Sequence, residues 1–185
     1  IGGTGFISTA VSRMAIAQGI ELYLLNRGSR AASLPGSHSL IADINRRQDV
    51  DDVLRGLEFD VVVDWIAFTP EDIERDLSLF RGQVKQYVFI SSASAYQTPP
   101  ARLPVTESTP LRNPFWRYSR DKIACEDLLV ATYRETGFPM TIVRPSHTYD
   151  ATSVPIDGGW TVVERMRRGL PVVVPGDGTS LWTLT

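Results

Sequence analysis

The chain has 185 residues, a formal net charge of -2, 43% hydrophobic and 22% charged residues, 14 glycines, 12 prolines and one cysteine, a composition that excludes disordered, collagen-like and low-complexity classes. Lys+Arg 19 against Asp+Glu 21 leaves no surplus for the basic face that a nucleic-acid binder carries, so no nucleic acid is expected. No apolar run approaches the roughly 20 residues that span a bilayer and no leader resembles a signal peptide; with a lone Cys125 unable to form an internal disulfide, this sets the expectation of a cytoplasmic protein that meets no membrane.

Strand-like and helix-like segments alternate from start to end, the pattern of an α/β fold with a parallel sheet and helices on both faces. Ile1 leads directly into a glycine-rich turn, and Leu181 to Thr185 stop inside a β-prone stretch, so both ends read as cut from a longer chain. After Gly5, Ile7, Val11, Met14 and Ala15 recur at helical spacing and Gly19 follows where a helix would stop. Residues 20–25 read as a strand, 39–42 as another, and 50–57 as a short helix. Asp60 to Asp64 reads as a buried central strand, because its apolar run is continuous rather than alternating. Thr69, Pro70, Glu71 and Asp72 open a helix with an N-cap, a proline at the first helical position and acids in the first turn. Tyr87 to Ile90 is a strand running into Ser91-Ser92-Ala93-Ser94. A proline-rich loop of about 20 residues follows, a length that inside a compact domain usually marks function. A long helix over 116–136, ended by Gly137, and a strand over 140–143 complete the series. His38 is placed in a loop and Cys125 on a helix face.

Two features carry chemistry. Gly2-Gly3-Thr4-Gly5-Phe6-Ile7-Ser8 opens a helix after a strand remnant, the setting in which a backbone turn approaches a pyrophosphate and the helix N-terminus holds its charge; a plain glycine turn is the alternative. Tyr118 and Lys122 are four apart on a predicted helix, so phenol and ammonium share a face. There the ammonium is expected to favour tyrosinate by direct attraction, lowering the phenol pKa; a chance pairing on one face is the alternative.

Set in order, Gly-Gly-Thr-Gly-Phe-Ile at 2–7, Asp43-Ile44, Asp60 to Ala67, Tyr87 to Tyr96, Glu107 to Pro114, Tyr118 to Lys122 and Arg144-Pro145 resemble the NAD-dependent epimerase/dehydratase family of the extended short-chain dehydrogenase/reductase superfamily, over nearly the whole chain. The resemblance implies a Rossmann-like doubly wound parallel sheet, with a cofactor domain over 1–147 and the beginning of a substrate lobe over 148–185. It implies Ser92, Tyr118 and Lys122 as the catalytic set: Ser92 bonding the reacting oxygen, Tyr118 as general acid or base, Lys122 holding the phenol and the nicotinamide ribose. Gly2, Thr4, Gly5, Phe6 and Ile7 would form the pyrophosphate turn. Asp43 would accept from adenine with Ile44 against the ring, Ile66 and Ala67 would line the adenosine side, and Pro145 and Ser146 the carboxamide. Without the family, Asp43 reads equally as a strand-end turn residue and Ser92 as a polar strand terminus. The same resemblance implies a small-molecule substrate of nucleotide-sugar type and a homodimer built on the helices that start at Pro70 and carry Tyr118.

Departures from the family pattern sharpen the expectation. Asn26 stands where NAD-preferring members place an acid, and Arg27-Gly28-Ser29-Arg30 follows; a guanidinium suits a 2′-phosphate, so NADP(H) is expected ahead of NAD(H), a solvated loop arginine being the alternative. Asp64-Trp65-Ile66-Ala67 replaces the usual His-x-Ala-Ala, as in atypical members. Ala93-Ser94 replaces the Asp-Glu pair of dehydratases, which argues against 4,6-dehydration and assigns Ser94 to a substrate hydroxyl. His147 is a candidate substrate contact, or a loop histidine without that role. An epimerase or carbonyl reductase is therefore expected, with no metal. The competing expectation is a non-catalytic protein binding dinucleotide or RNA, because Val61 to Ala67 also resembles relatives that bind stem-loop RNA in chloroplasts.

Overall fold

A computed structural model describes residues 1–28, 34–150, 152–174, 176–178 and 183–185. The chain divides into two compact units, Ile1–Arg144 and Pro145–Thr185. Among the described residues of the first there are five strands and four α-helices, and the pairings between these strands are parallel. β1 (Leu22–Asn26) pairs with β2 (Ser37–Ile41), and β3 (Phe59–Asp64), β4 (Val84–Ile90) and β5 (Met140–Val143) form a second ladder in that order. Ile1 and Gly2 tie the two ladders together: the Ile1 amino group donates to the Val63 carbonyl at 2.6 Å, Trp65 N–H to the Ile1 carbonyl at 3.2 Å, and Gly2 N–H to the Leu25 carbonyl at 2.9 Å.

The helices are α1 (Phe6–Ala17), α2 (Arg47–Leu54), α3 (Pro70–Phe80) and α4 (Arg117–Thr136). Thr69 caps α3 as expected: Asp72 returns a carboxylate oxygen to Thr69 N–H at 3.0 Å, closing a capping box, with Pro70 just inside. Trp116 is the N-cap of α4 and Gly137 its C-cap. Val50, Ile73, Phe80, Tyr87, Phe89, Cys125, Leu129 and Phe138 form the core between α2, α3, α4 and the strands. In the second unit α5 spans Trp160–Arg167, and His147 bridges Leu184. Among the described residues no helix is long and apolar enough to cross a membrane.

Three readings of the sequence are corrected, and the buried face of α1 is a further finding. The helix expected after Gly5 is present, but Val11 and Met14 on it are exposed, and Ser8 and Ser12 are buried. A helix that starts immediately after the glycine turn lies too close to the chain for large side chains, and Ser12 uses the proximity to donate to the Gly3 carbonyl at 2.9 Å. β3 is not uniformly buried, for Val61 is 50% exposed while Asp64 is 0% exposed; alternate side chains leave a strand on opposite faces, and Val62 and Asp64 are its fully buried residues. The second helix begins at Arg47 and stops at Leu54. His38 lies on β2 rather than in a loop, its ring stacked on Tyr23 at 4.6 Å.

The proline-rich stretch folds back as a short ladder. Arg112 N–H donates to the Ala95 carbonyl at 3.0 Å, and Gln97 N–H to the Pro110 carbonyl at 2.8 Å. This fold-back delivers Asn113, 8% exposed, beneath the start of α4.

Candidate active site

The site forms at the carboxyl ends of β3 and β4, where parallel α/β sheets hold ligands. β4 delivers Ser91 and Ser92, and a single 3-10 turn over Ala93–Ala95 follows, with Ser92 as its cap. Asn113 starts α4 by accepting from Phe115 N–H at 3.1 Å and Trp116 N–H at 3.3 Å, which places Tyr118, Ser119 and Lys122 in the first turns, facing the strand ends.

Lys122 is 1% exposed. Its ammonium donates to the Ala67 carbonyl at 2.6 Å and to the Ile90 carbonyl at 2.7 Å, and lies 4.7 Å from the ring centres of both Phe68 and Phe89. Burial pulls its pKa down to about 8, with the nearby Cys125, Asp64, Asp72 and Glu126 opposing. Tyr118 is half-buried, its ring packed on Trp116 at 4.7 Å and on Phe68 at 6.3 Å. The shared helix face holds: the ammonium lies 5.7 Å from the Tyr118 ring centre.

The expected electrostatic consequence does not hold. Burial pushes the phenol pKa up, and the only opposing contribution is its hydrogen bond with Ser92. The ammonium is instead turned to two backbone carbonyls. In this state Tyr118 is a phenol.

Behind Ser92 runs a chain of hydroxyls that the sequence did not single out. Asn113 Nδ2 donates to Ser119 Oγ at 3.3 Å, Ser119 Oγ donates to Ser94 Oγ at 2.8 Å, and Ser94 Oγ lies 2.9 Å from Ser92 Oγ. One consistent proton order carries donation from Asn113 to Ser92 and leaves the Ser92 proton for the phenol or a substrate oxygen. Ser94, expected to meet substrate, is thus engaged between Ser92 and Ser119. Only the fold-back of the proline-rich segment reveals this, as Asn113 and Ser94 are 19 residues apart.

The glycine turn lies before α1. Gly2 and Gly3 have φ of +87° and +83°, and a Cβ on Gly3 would stand 2.5 Å from Leu24 Cδ2, so this backbone path is closed to larger residues. Gly5 is the N-cap of α1, its N–H donating to Ser8 Oγ at 2.8 Å, and Thr9 Oγ1 donates to the Gly5 carbonyl at 2.6 Å. Thr4 precedes that cap, and Phe6 and Ile7 form the first exposed turn. At the end of β1, Asn26 Oδ1 accepts from Gly28 N–H at 2.9 Å, and Arg27 is exposed; Ser29 and Arg30 lie outside the described residues. After β2, Asp43 Oδ1 accepts from Asn45 N–H at 3.0 Å.

Two of the expected cofactor contacts are deeply buried. Ile44 is 6% exposed and packed in the core with Ala42 and Val50, while its neighbour Asp43 is half-buried. Ala67 is 1% exposed, its N–H bonded to Asp64 and its carbonyl to Lys122, so it supports Lys122. Ile66, 39% exposed, remains on the surface beside it. Pro145, Ser146 and His147 belong to the second unit. There Ser146 Oγ donates to the Thr183 carbonyl at 2.9 Å, and Thr185 N–H to the His147 carbonyl at 2.8 Å.

Two buried charge clusters brace these strands. Glu126, one turn beyond Lys122 and 1% exposed, accepts from Ser91 Oγ and from Arg144 Nη2 at 2.6 Å, and Arg144 Nη1 also donates to Tyr96 Oη at 3.1 Å. Asp64, Asp76, Arg75 and Tyr87 form the second, below the 64–67 turn. The position of Glu126 four residues after Lys122 was a readable signal for the first; nothing local announced the second beyond the unusual acid at Asp64. Among the described residues no group of three metal-ligating side chains occurs.

The whole chain, residues 1–185, matches the model of the NAD dependent epimerase/dehydratase family. Among curated proteins it is similar to a UDP-glucose 4-epimerase of Lactobacillus helveticus, 28% identical over 83% of this chain and 52% of that protein. It is also similar to the chloroplast stem-loop binding protein of 41 kDa b of Arabidopsis thaliana, 30% identical over 98% of this chain and 49% of that protein. The chain therefore spans about half the length of the curated relatives it matches. Of solved structures, dTDP-glucose 4,6-dehydratase from Bacillus anthracis in complex with NAD has a TM-score of 0.78 at 18% identity, covering 99% of this chain and 65% of that one. UDP-glucose 4-epimerase from Thermus thermophilus, complexed with NAD, has 0.71 at 21% identity, covering 92% and 62%. These likenesses bear out the Rossmann-like α/β fold.

Proposed function

The chain belongs to the NAD-dependent epimerase/dehydratase family, and from that premise we propose that it is the cofactor-binding part of an NAD(P)-dependent epimerase or carbonyl reductase acting on a nucleotide-sugar or similar hydroxyl-bearing metabolite through Ser92, Tyr118 and Lys122. The observation that carries this reading is the convergence of the three side chains at the ends of β3 and β4: a buried ammonium, a half-buried phenol whose ring centre lies 5.7 Å from it, and a serine beside that phenol.

The donor set fits a nicotinamide dinucleotide. The N-terminus of α1 after Gly5 suits a pyrophosphate, the Asp43 carboxylate an adenine amino group, the exposed Ile66 the adenosine side, and Lys122 a ribose. Arg27, with Asn26 in place of an acid, favours NADP(H) over NAD(H). When bound, the cofactor supplies hydride exchange with a substrate carbon.

The chain's own residues manage the proton and the oxygen. Ser92, backed by Ser94 and Ser119, donates to the substrate oxygen and orients it. Because burial keeps Tyr118 protonated, the resting geometry is poised to give a proton from Oη to a carbonyl oxygen, the reductive direction. Lys122 places positive charge beside the phenol ring as that proton leaves. The 93–95 turn bears no carboxylate, so expulsion of a hydroxyl as in a 4,6-dehydratase is not part of the reading. A homodimer through α3 and α4 is part of the proposal.

The test is Tyr118→Phe in the protein supplied with a panel of sugar nucleotides, with nicotinamide absorbance as readout: a loss of about 10²-fold or more is expected, and unchanged turnover with intact folding refutes the mechanism. Calorimetry with both cofactors tests the arginine, and tighter binding of NAD(H) refutes the NADP(H) preference. The likeness to the stem-loop binding protein supports a second reading, RNA binding without catalysis; RNA retention that weakens steeply with salt, without cofactor turnover, would favour it.

A further inference from the structure

The Asn113 carboxamide, in a residue 8% exposed, has every hydrogen-bonding position engaged. Oδ1 accepts from Phe115 N–H at 3.1 Å and Trp116 N–H at 3.3 Å, and Nδ2 donates to the Ser94 carbonyl at 2.9 Å and to Ser119 Oγ at 3.3 Å. Backbone N–H groups only donate and a backbone carbonyl only accepts, so both sides of the carboxamide fix its orientation and Nδ2 is obliged to face Ser119. The Ser119 hydroxyl, on a residue 0% exposed, receives that proton and passes its own to Ser94 Oγ at 2.8 Å. Ser94 meets Ser92 twice, through its N–H to Ser92 Oγ at 3.2 Å and through the two hydroxyls at 2.9 Å. With Ser94 donating to Ser92, the hydroxyl proton left over is that of Ser92, at the carboxyl end of β4. With Ser92 donating to Ser94, the leftover is the Ser94 proton, for which no other acceptor stands among the described residues.

We propose that Asn113 is a positioning residue: it fixes the proton order of the Ser119, Ser94 and Ser92 hydroxyls and so holds Ser92 as a donor, whose ligand is an acceptor oxygen, a carbonyl or an oxyanion. The proposal rests on the reading of Ser92 as the residue that meets the substrate oxygen. In this order Ser92 Oγ accepts twice from residue 94, which fills both lone pairs of a hydroxyl and leaves only its proton to offer. Each bond in the row polarises the next, so the strength of that donor draws on the amide at its far end. The two roles of the carboxamide are separable. Starting α4 needs only a side-chain acceptor for the 115 and 116 amides, which aspartate supplies as well as asparagine. The donors to Ser94 and Ser119 belong to the amide nitrogen alone. The fold-back of the proline-rich segment brings Asn113 to Ser94, 19 residues earlier in sequence, so the conformation of that segment reaches Ser92 through these bonds.

Two substitutions separate this from a plain structural role. Asn113→Asp keeps the acceptor for the 115 and 116 amides and removes both donors; Ser119 then donates to the carboxylate, the order reverses, and the Ser92 proton is drawn to Ser94. Ser94→Ala cuts the row between Ser119 and Ser92. The readout is kcat and KM in the full-length protein, with the sugar nucleotide of the panel that wild type turns over. Asn113→Asp is expected to lower kcat about tenfold, the worth of roughly one net hydrogen bond, with KM within about twofold of wild type. Added to Ser94→Ala, the same substitution is expected to lower kcat by less than about twofold, because the path is already cut. An unchanged kcat in Asn113→Asp, an equal loss with Ser94 present and absent, or a loss confined to KM overturns the proposal. Neutron diffraction from the perdeuterated wild-type protein keeps it testable where a variant fails to fold. Deuterons are expected on Ser119 Oγ toward Ser94 and on Ser94 Oγ toward Ser92, and a Ser92 deuteron directed at Ser94 overturns the order. Wild-type protein that turns over no member of the panel refutes the proposed function, while the deuteron positions still decide the role of Asn113.

Discussion

Replacing Lys122 by methionine tests how burial and charge balance at the centre of the site. A fall of the ammonium pKa from 10.5 to about 8 corresponds to a folded-state penalty on the order of 3 kcal/mol. Methionine removes that penalty, but it leaves the Ala67 and Ile90 carbonyls without their donor, a loss of about 1–3 kcal/mol each. At pH 7 the opposing effects leave the variant within about 2 kcal/mol of wild type. The pH dependence is more diagnostic. Below pH 8 both folded and unfolded chains hold the proton and the folded chain bears the penalty. Between pH 8 and 10.5 the folded chain releases the proton while the unfolded chain keeps it, so wild-type stability rises, and above 10.5 the penalty is gone. Lys122→Met lacks this rise. Urea unfolding of both proteins from pH 7 to 10.5 should show the difference growing in favour of wild type by on the order of 3 kcal/mol. The Cys125 thiol, pushed up to about 12 by burial, ionises in the folded chain above that window. A difference that stays flat across pH refutes the buried, strained ammonium.

Glu126→Ala leaves the Arg144 guanidinium, 19% exposed in its side chain, without its carboxylate, and urea unfolding should show a loss of about 3 kcal/mol or more; under 1 kcal/mol would count against a shared brace for β4, α4 and β5. Gly3→Ala forces a Cβ to 2.5 Å from Leu24 Cδ2 at a φ of +83° and should cost about 1–3 kcal/mol, read as a lower thermal midpoint. Ser119→Ala breaks the donor chain behind Ser92 and should reduce cofactor turnover about tenfold with little change in substrate KM; an unchanged rate removes the chain from the mechanism.

The arrangement of strands and helices was legible because each is announced locally. Thr69-Pro70-Glu71-Asp72 carries its own capping chemistry, Gly137 ends α4, and the pairing of Tyr118 with Lys122 follows from helical spacing alone. Reading failed where a position depends on what lies across from it. Val61 belongs to a continuous apolar run yet is 50% exposed, because alternate side chains leave a strand on opposite faces. Ile44 and Ala67 sit at motif positions but are used by the core and by Lys122.

The direction of the Tyr118 pKa is the clearest case. Spacing put an ammonium and a phenol on one face, and from that alone the phenol should ionise more readily. The folded chain turns the ammonium to two strand-end carbonyls 55 and 32 residues away in sequence and half-buries the phenol beside aromatic rings, so desolvation sets the direction of its pKa. Residue spacing along a helix sets which groups can meet. How much water remains around them, and which distant partners claim their hydrogen bonds, comes from long-range packing, and those two quantities govern protonation at this site.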